Sequence, residues 1–347
     1  MKLHKLIKYL ETIAPLAYQE SYDNAGLIVG DPDTSIKGVL VCLDSTEAII
    51  KEARKRKCNV IIAHHPIVFK GLKKFNGSSY VERTVMQAIK YDICIYAIHT
   101  NLDNVYRSGV NTKIAEKLGL GNLQLLSPKR NMVKLQFFLN PSQIQAFQKE
   151  SSIKSLPSSL SSVHSMLAVA NRAENETAEM KYETTVANNE VSSVLTYLKK
   201  CIGSSAFTYH TYPTLEANCM VGSGMVGTLA KPILATTFFR RLKESMNLKG
   251  FKHTAITSNK VQKIAVCGGS GGFLLPHAIQ AGADVFITSD YKYHEFFDAD
   301  GKIIIADIGH YESEQYTIDL IHGLITKKFS NFATHCTKIS TNPVFYY

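Results

Sequence analysis

Three short stretches of the 347-residue chain carry side chains of the types that bind metal ions or move protons. "AHHP" sets His64 beside His65 after the apolar run 60–63. "AIHTNLD" supplies His99 and, four residues later, Asp103. "DIGHYESE" supplies His310 and, four residues later, Glu314. Imidazole and carboxylate together suit divalent zinc, iron, manganese or cobalt. Neighbours on a regular strand point to opposite faces, so His64 and His65 are hard to aim at one ion. Where the strand ends, each can turn toward a different member of a metal pair. Two ions about 3.5–4 Å apart lower the pKa of a water between them and steady an attacking and a leaving oxygen. Each stretch alone has an ordinary explanation: a half-buried histidine, a turn aspartate, or an acid in the first turn of a helix. Their coincidence at three strand ends is what points to one shared site.

Two further features belong to the same set. His99, after the apolar "YAI", could act as a general acid/base or hold a ligand by a hydrogen bond, and equally could be a satisfied buried histidine. "CGGSGG" offers Gly268, Gly269, Ser270 and Gly271 as contacts for a phosphate or a ring edge, through amides left free where a strand turns into a helix. A tight turn requiring positive φ explains the same glycines. Tyr22, Asp23 and Asn24 are adequately explained as a cap and turn.

The elements that must position these residues are legible from periodicity. Between residues 38 and about 120, "GVLVCLD", "NVIIAHH" and "ICIYAIHT" are strands and "STEAIIKEARKRK", "SSYVERTVMQAIKYD" and "GVNTKIAEKLGL" are helices, the first two with Asp44/Glu47 and Ser79/Glu82 at capping-box spacing. The continuous apolar runs predict strands covered on both faces, hence a three-layer α/β core with a largely parallel sheet. In open sheets of this kind, functional groups gather beyond the carboxyl ends of the strands. From 128 the pattern changes to two β-α-β runs joined by a Ser-rich connection over 151–165, which suggests an inserted α+β domain of the split-βαβ, ferredoxin-like type. The α/β alternation then resumes. The expected division is 1–127 for the first half of the core, 128–228 for the insertion and 229–347 for the second half.

Composition narrows the class. The 45% apolar content and mean hydropathy of -0.05 are those of a soluble globular chain. No apolar run reaches the roughly 18–20 residues of a membrane span, and the amphipathic start is unlike a signal peptide. Seven cysteines without a CxxC pair read as reduced core thiols of a cytoplasmic protein. The net charge of +10 is spread among carboxylates; it suits an anionic small molecule, and a nucleic-acid surface is not favoured.

In order along the chain, "YDNAGLIVGD", "AHHPIVF", "HTNLDNVYRSGVN", "VCGGSGG" and "GHYESE" closely resemble the NGG-interacting-factor-three-like family, catalogued as GTP cyclohydrolase 1 type 2 homologues. The resemblance covers both core halves. It implies a two-metal site held by His64, His65, Asp103, His310 and Glu314, a ring-like (toroidal) homohexamer with its sites facing an inner cavity, and, in a longer subclass, an inserted domain like the PII or CutA fold. The catalogued name implies hydrolytic opening of the GTP imidazole ring with loss of formate. The expectation is a metal-dependent hydrolase of a nucleotide or related anionic heterocycle. The alternative is a metal-binding scaffold or partner-binding regulator without turnover.

Overall fold

The structure, a computed structural model, describes residues 1–129, 132–153, 180–203, 206–214 and 220–347. Its strands, in chain order, are β1 (Gly26–Val29), β2 (Gly38–Cys42), β3 (Val60–Ala63), β4 (Cys94–Ala97), β5 (Gly121–Pro128), β6 (Met132–Leu139), β7 (Met180–Ala187), β8 (Thr208–Pro213), β9 (Gly222–Leu234), β10 (Lys252–His253), β11 (Lys260–Ser270), β12 (Val285–Ser289), β13 (Ile304–Asp307) and β14 (Ala333–Cys336). They form two compact units, 1–127 with 220–347, and 128–219.

The larger unit holds two sheets where one was expected. The first has the order β1-β4-β3-β2-β14 and the second β10-β13-β12-β11-β9-β5. Each has a parallel centre, β4-β3-β2-β14 and β11-β12-β13, while β1, β9 and β10 pair antiparallel with their neighbours. Period two sorts the side chains. Val39, Val41, Val60 and Ile62 of the first sheet, with Ile264, Val266, Val285 and Ile287 of the second, enter one central core. Leu40, Cys42, Ile61 and Ala63 face a separate cluster built with Ile49, Ile50, Val85 and Ala88 of the helices Glu47–Lys55 and Tyr80–Lys90. Ala265, Cys267, Phe286 and Ile305 face a third cluster with Leu275 and Ala278. Both faces of both sheets are therefore covered, as the unbroken apolar runs require.

Local signals explain most boundaries. Ser79 accepts the Glu82 amide at the start of its helix, as read, while the Glu82 carboxylate takes the Asn76 and Ser78 amides. The first helix differs: Thr46 accepts the Ile49 amide and is the cap, so Asp44 is released for another task. The expected second boundary also moves. Gly222–Leu234 is one strand paired to β11, so the core resumes near 220 instead of 229.

The smaller unit is an antiparallel sheet of order β7-β6-β8 with the helices Pro141–Ile153 and Val191–Cys201. Leu135, Phe137 and Leu139 alternate inward and meet Phe147, Tyr182, Val194 and Leu198. Phe137 stacks on Tyr182 with ring centroids 5.3 Å apart. From residue 154 the Ser-rich connection lies outside the described residues. No helix among the described residues is long and apolar enough to cross a membrane.

Candidate metal centre

The predicted ligands meet in the larger unit, beyond the carboxyl ends of strands from both sheets. His64 and His65 follow β3, His99 and Asp103 follow β4, and His310 and Glu314 follow β13. His310 opens a helix, His310–Glu314, entered through Gly309 at φ 91°. Four residues of helix then place Glu314 on the His310 face, with Glu314 Oε2 3.1 Å from His310 Nε2.

Every imidazole in the cluster is anchored through Nδ1. His64 donates to the Ile98 carbonyl at 2.8 Å, and His65 to Asp44 at 2.7 Å. His99 donates to Asp23 at 2.7 Å and His310 to Asp290 at 2.6 Å. A carbonyl or carboxylate can only accept, so each partner fixes the proton on Nδ1 and aims Nε2 away from it. This is the usual second layer around metal-binding histidines. Sequence reasoning missed Asp23, Asp44 and Asp290 as members of it. Their signal was available: Asp44 and Asp290 follow the strands β2 and β12 much as the ligands follow theirs.

Glu314 lies at the centre and is buried. Its Oε2 is 2.9 Å from His65 Nε2, and its Oε1 is 3.8 Å from His64 Nε2. His64 Nε2 is 3.6 Å from Asp103 Oδ1, too long for a hydrogen bond, and both atoms are buried without a hydrogen-bond partner. Two ligand atoms each about 2.1 Å from one cation stand roughly 3–3.5 Å apart, so this pair fits an ion between them. His64, His65 and Glu314 offer ligand atoms within 4.8 Å of one another.

Electrostatics favour a cation here. Burial, then the Glu314 charge, pushes Asp103 well above the usual carboxylate range. Burial opposes the Glu314 charge as well, but His310, His64 and His65 outweigh it and hold that group well below its usual value. Burial lowers the His64 pKa, leaving a neutral ring with a lone pair to give. For His65 and His310 burial is overcome by carboxylates on both nitrogens, which raise them to about 10 and about 11. Asp23, despite burial, is lowered to about 2 by His99 and Thr100.

The glycine-rich segment lines the cavity over the cluster, but three of its amides are not left free as expected. It is a bulge in β11: the register to β12 jumps from Val266↔Ile287 to Ser270↔Ser289. Its amides are engaged, Gly268 by Asn111, Gly269 by Ser313 and Gly271 by Thr288. A cradle of free N–H groups is therefore not formed by these three. What the glycines provide is room. A Cβ on Gly269 would overlap Glu314 Oε1, and one on Gly268 would come within 2.9 Å of Val110 and 3.5 Å of Glu314 Cγ.

A distant segment completes the wall of the site. Thr341 donates to Asp44 Oδ2 at 2.5 Å, and Asn342 donates to Glu312 at 2.9 Å. Thr341 thus steadies the carboxylate that aims His65. Partners of this kind typically contribute 10–100-fold in metal affinity. Thr341→Val is expected to weaken metal binding by about tenfold, with Thr341→Ser close to wild type, in competition against a chromogenic chelator. Equal affinities for the two variants would show that the hydroxyl has no such role.

Residues 1–343 match the family described as Duf34/NIF3 (NGG1p interacting factor 3). The chain is 28% identical, over 100% of both chains, to a Staphylococcus aureus protein named GTP cyclohydrolase 1 type 2 homolog, and a Staphylococcus epidermidis relative of that name is 27% identical over the same coverage. Among solved structures, a Bacillus cereus protein related to NIF3 superposes with a TM-score of 0.82 at 27% identity, covering 100% of this chain and 99% of that one.

Proposed function

Because the chain belongs to the Duf34/NIF3 (NGG1p interacting factor 3) family and gathers these residues at its strand ends, we propose that it is a metal-dependent hydrolase. It would use two divalent ions and act on a nucleotide or related heterocycle. The observation that carries this reading is the division of Glu314, whose Oε1 faces His64 and whose Oε2 faces His65 and His310. His64 and Asp103 would hold one ion, His65 and His310 the other, and Glu314 both. When bound, such a pair supplies an acidified water and a clamp for the oxygens of a displacement. Five protein ligands for two ions leave positions open, as a catalytic site needs and a structural one does not.

His99 is suited to move a proton. Its ring lies edge-on to His64 and His65 at centroid distances of 5.4 and 5.3 Å, and Asp23 fixes its Nδ1–H. His99→Gln is expected to keep the metal content while turnover falls about 10²–10⁴-fold, the usual contribution of a general acid or base. Loss of metal instead would make His99 a ligand. The reading also assigns the smaller unit to the ferredoxin-like, PII/CutA-like class, supported by its antiparallel sheet and two helices, and assembles the chain as the toroidal homohexamer expected from the resemblance.

The reading is tested by screening GTP, related nucleotides and nucleosides for hydrolysis by protein reloaded with each candidate ion. Turnover that disappears with a chelator and in His64→Ala supports it. Turnover indifferent to both, or none across the screen at full metal loading, favours the scaffold without chemistry.

A further inference from the structure

The cavity over the cluster has a volume of about 1050 Å³, ample for a nucleoside. Its charge is the reverse of the chain's. Among the described residues, seven carboxylates line it, including Glu20, Asp307 and Glu312, against a single lysine or arginine, Lys252. That lysine is ion-paired with Asp307 at 2.7 Å. Two divalent cations at the ligand cluster would still leave this wall short of neutral by two charges.

Nothing among the described residues of the wall is built to take a string of phosphates. The amides of Gly268, Gly269 and Gly271, where an anion cradle would form, are already bonded to Asn111, Ser313 and Thr288. The following helix, Leu275–Gln280, is too short to offer a useful positive end. What the wall does present is exposed aromatic rings. Tyr22, Phe69 and Phe273 line the cavity while 62%, 46% and 64% exposed. Tyr22 and Phe69 stand together, centroids 6.2 Å apart and planes tilted by 50°, so one can take a ring face-on while the other meets its edge. Phe69 in turn lies edge-on to His99 at 6.3 Å, so these rings run up to the ligand cluster. Rings held open to solvent beside such a cluster gain most from stacking on a planar ligand.

We propose that the site recognises its substrate by an uncharged planar heteroaromatic ring, of the nucleobase or nucleoside class, laid against Tyr22 and Phe69, and that it discriminates against polyphosphate tails. The assignment rests on the hydrolase reading of the same cavity and narrows it. The base supplies the binding, and at most one anionic group is left for the ions.

The test is calorimetric titration of the full-length protein, chelated and reloaded with two ions, with guanosine, adenosine and GTP at low and at about 0.5 M salt, where charge repulsion is largely screened. A nucleoside is expected to bind at least about tenfold more tightly than GTP at low salt, and the gap should narrow as salt rises. Tyr22→Ala and Phe69→Ala should each weaken the nucleoside about tenfold with the metal content unchanged, and Tyr22→Phe should restore it, since the ring is the active part. GTP binding more tightly than both nucleosides, or nucleoside affinity indifferent to Tyr22 and Phe69, or no nucleoside binding by the metal-loaded chain, would overturn the proposal. Nucleoside binding by a chain that takes up no metal would support ring recognition and instead remove the hydrolase reading, so the two failures are distinguishable.

Discussion

With the two-ion centre proposed above, Glu314→Gln is expected to lose both ions at once, taking metal content from about two per chain to near zero. The substitution keeps the side chain's shape and replaces one oxygen with an NH₂ group, which cannot ligate. His64, His65 and His310 all face the oxygens of this one carboxylate at 3.8, 2.9 and 3.1 Å, and among the described residues no other acid stands as close to all three. Turnover should fall about a thousandfold or more, the several kcal/mol that metal-centred charge stabilisation supplies. Elemental analysis beside circular dichroism separates the effect from unfolding. A folded Glu314→Gln chain that keeps one ion would show that the two ligand pairs act independently, and one that keeps both would remove Glu314 from the centre.

Gly269→Ala is expected to do nearly the same damage without touching a ligand. Gly269 sits at φ 64°, and its missing Cβ leaves the space occupied by Glu314 Oε1. Alanine there pays a left-handed backbone penalty of about 1–2 kcal/mol and pushes the carboxylate off its three imidazoles. Gly282 provides the control, having φ 67° and nothing within 4 Å of an added Cβ. Gly282→Ala should carry the backbone penalty alone, with a melting temperature lowered by a few degrees and full metal content. Gly269→Ala should match that thermal shift or exceed it and also fall well below one ion per chain. Equal metal content in the two variants would mean that Glu314 adjusts, and that the bulge does not set its position.

That the five candidate positions meet was legible because they follow apolar runs that read as buried strands. The side chains around them were harder to see, for a physical reason. Asp44 has the spacing of a helix cap, and only the pairing of β2 with β3 shows that it faces His65 while Thr46 does the capping. Thr341 reaches Asp44 across 297 residues of chain, through the parallel placement of β14 beside β2, and no local pattern marks that contact. The glycines of 268–271 were visible as glycines, but a turn that cradles an anion and a bulge that admits a side chain require the same residue. Apolar runs announced both-face burial correctly, yet runs of equal hydrophobicity do not say which sheet they join, and so one expected sheet is two. The late boundary of the insertion has a similar origin: Gly222–Leu234 contains glycines and a proline that weaken its strand pattern.

The central claim is that one carboxylate holds two ions between two ligand pairs. Anomalous diffraction from crystals of the metal-loaded protein, recorded at the absorption edge of the bound element, tests it most directly. The account predicts two peaks about 3.5–4 Å apart, one within coordination distance of His64 and Asp103 and the other of His65 and His310, with an oxygen of Glu314 on each. A single peak shared by all five residues, or peaks away from Glu314, would contradict it.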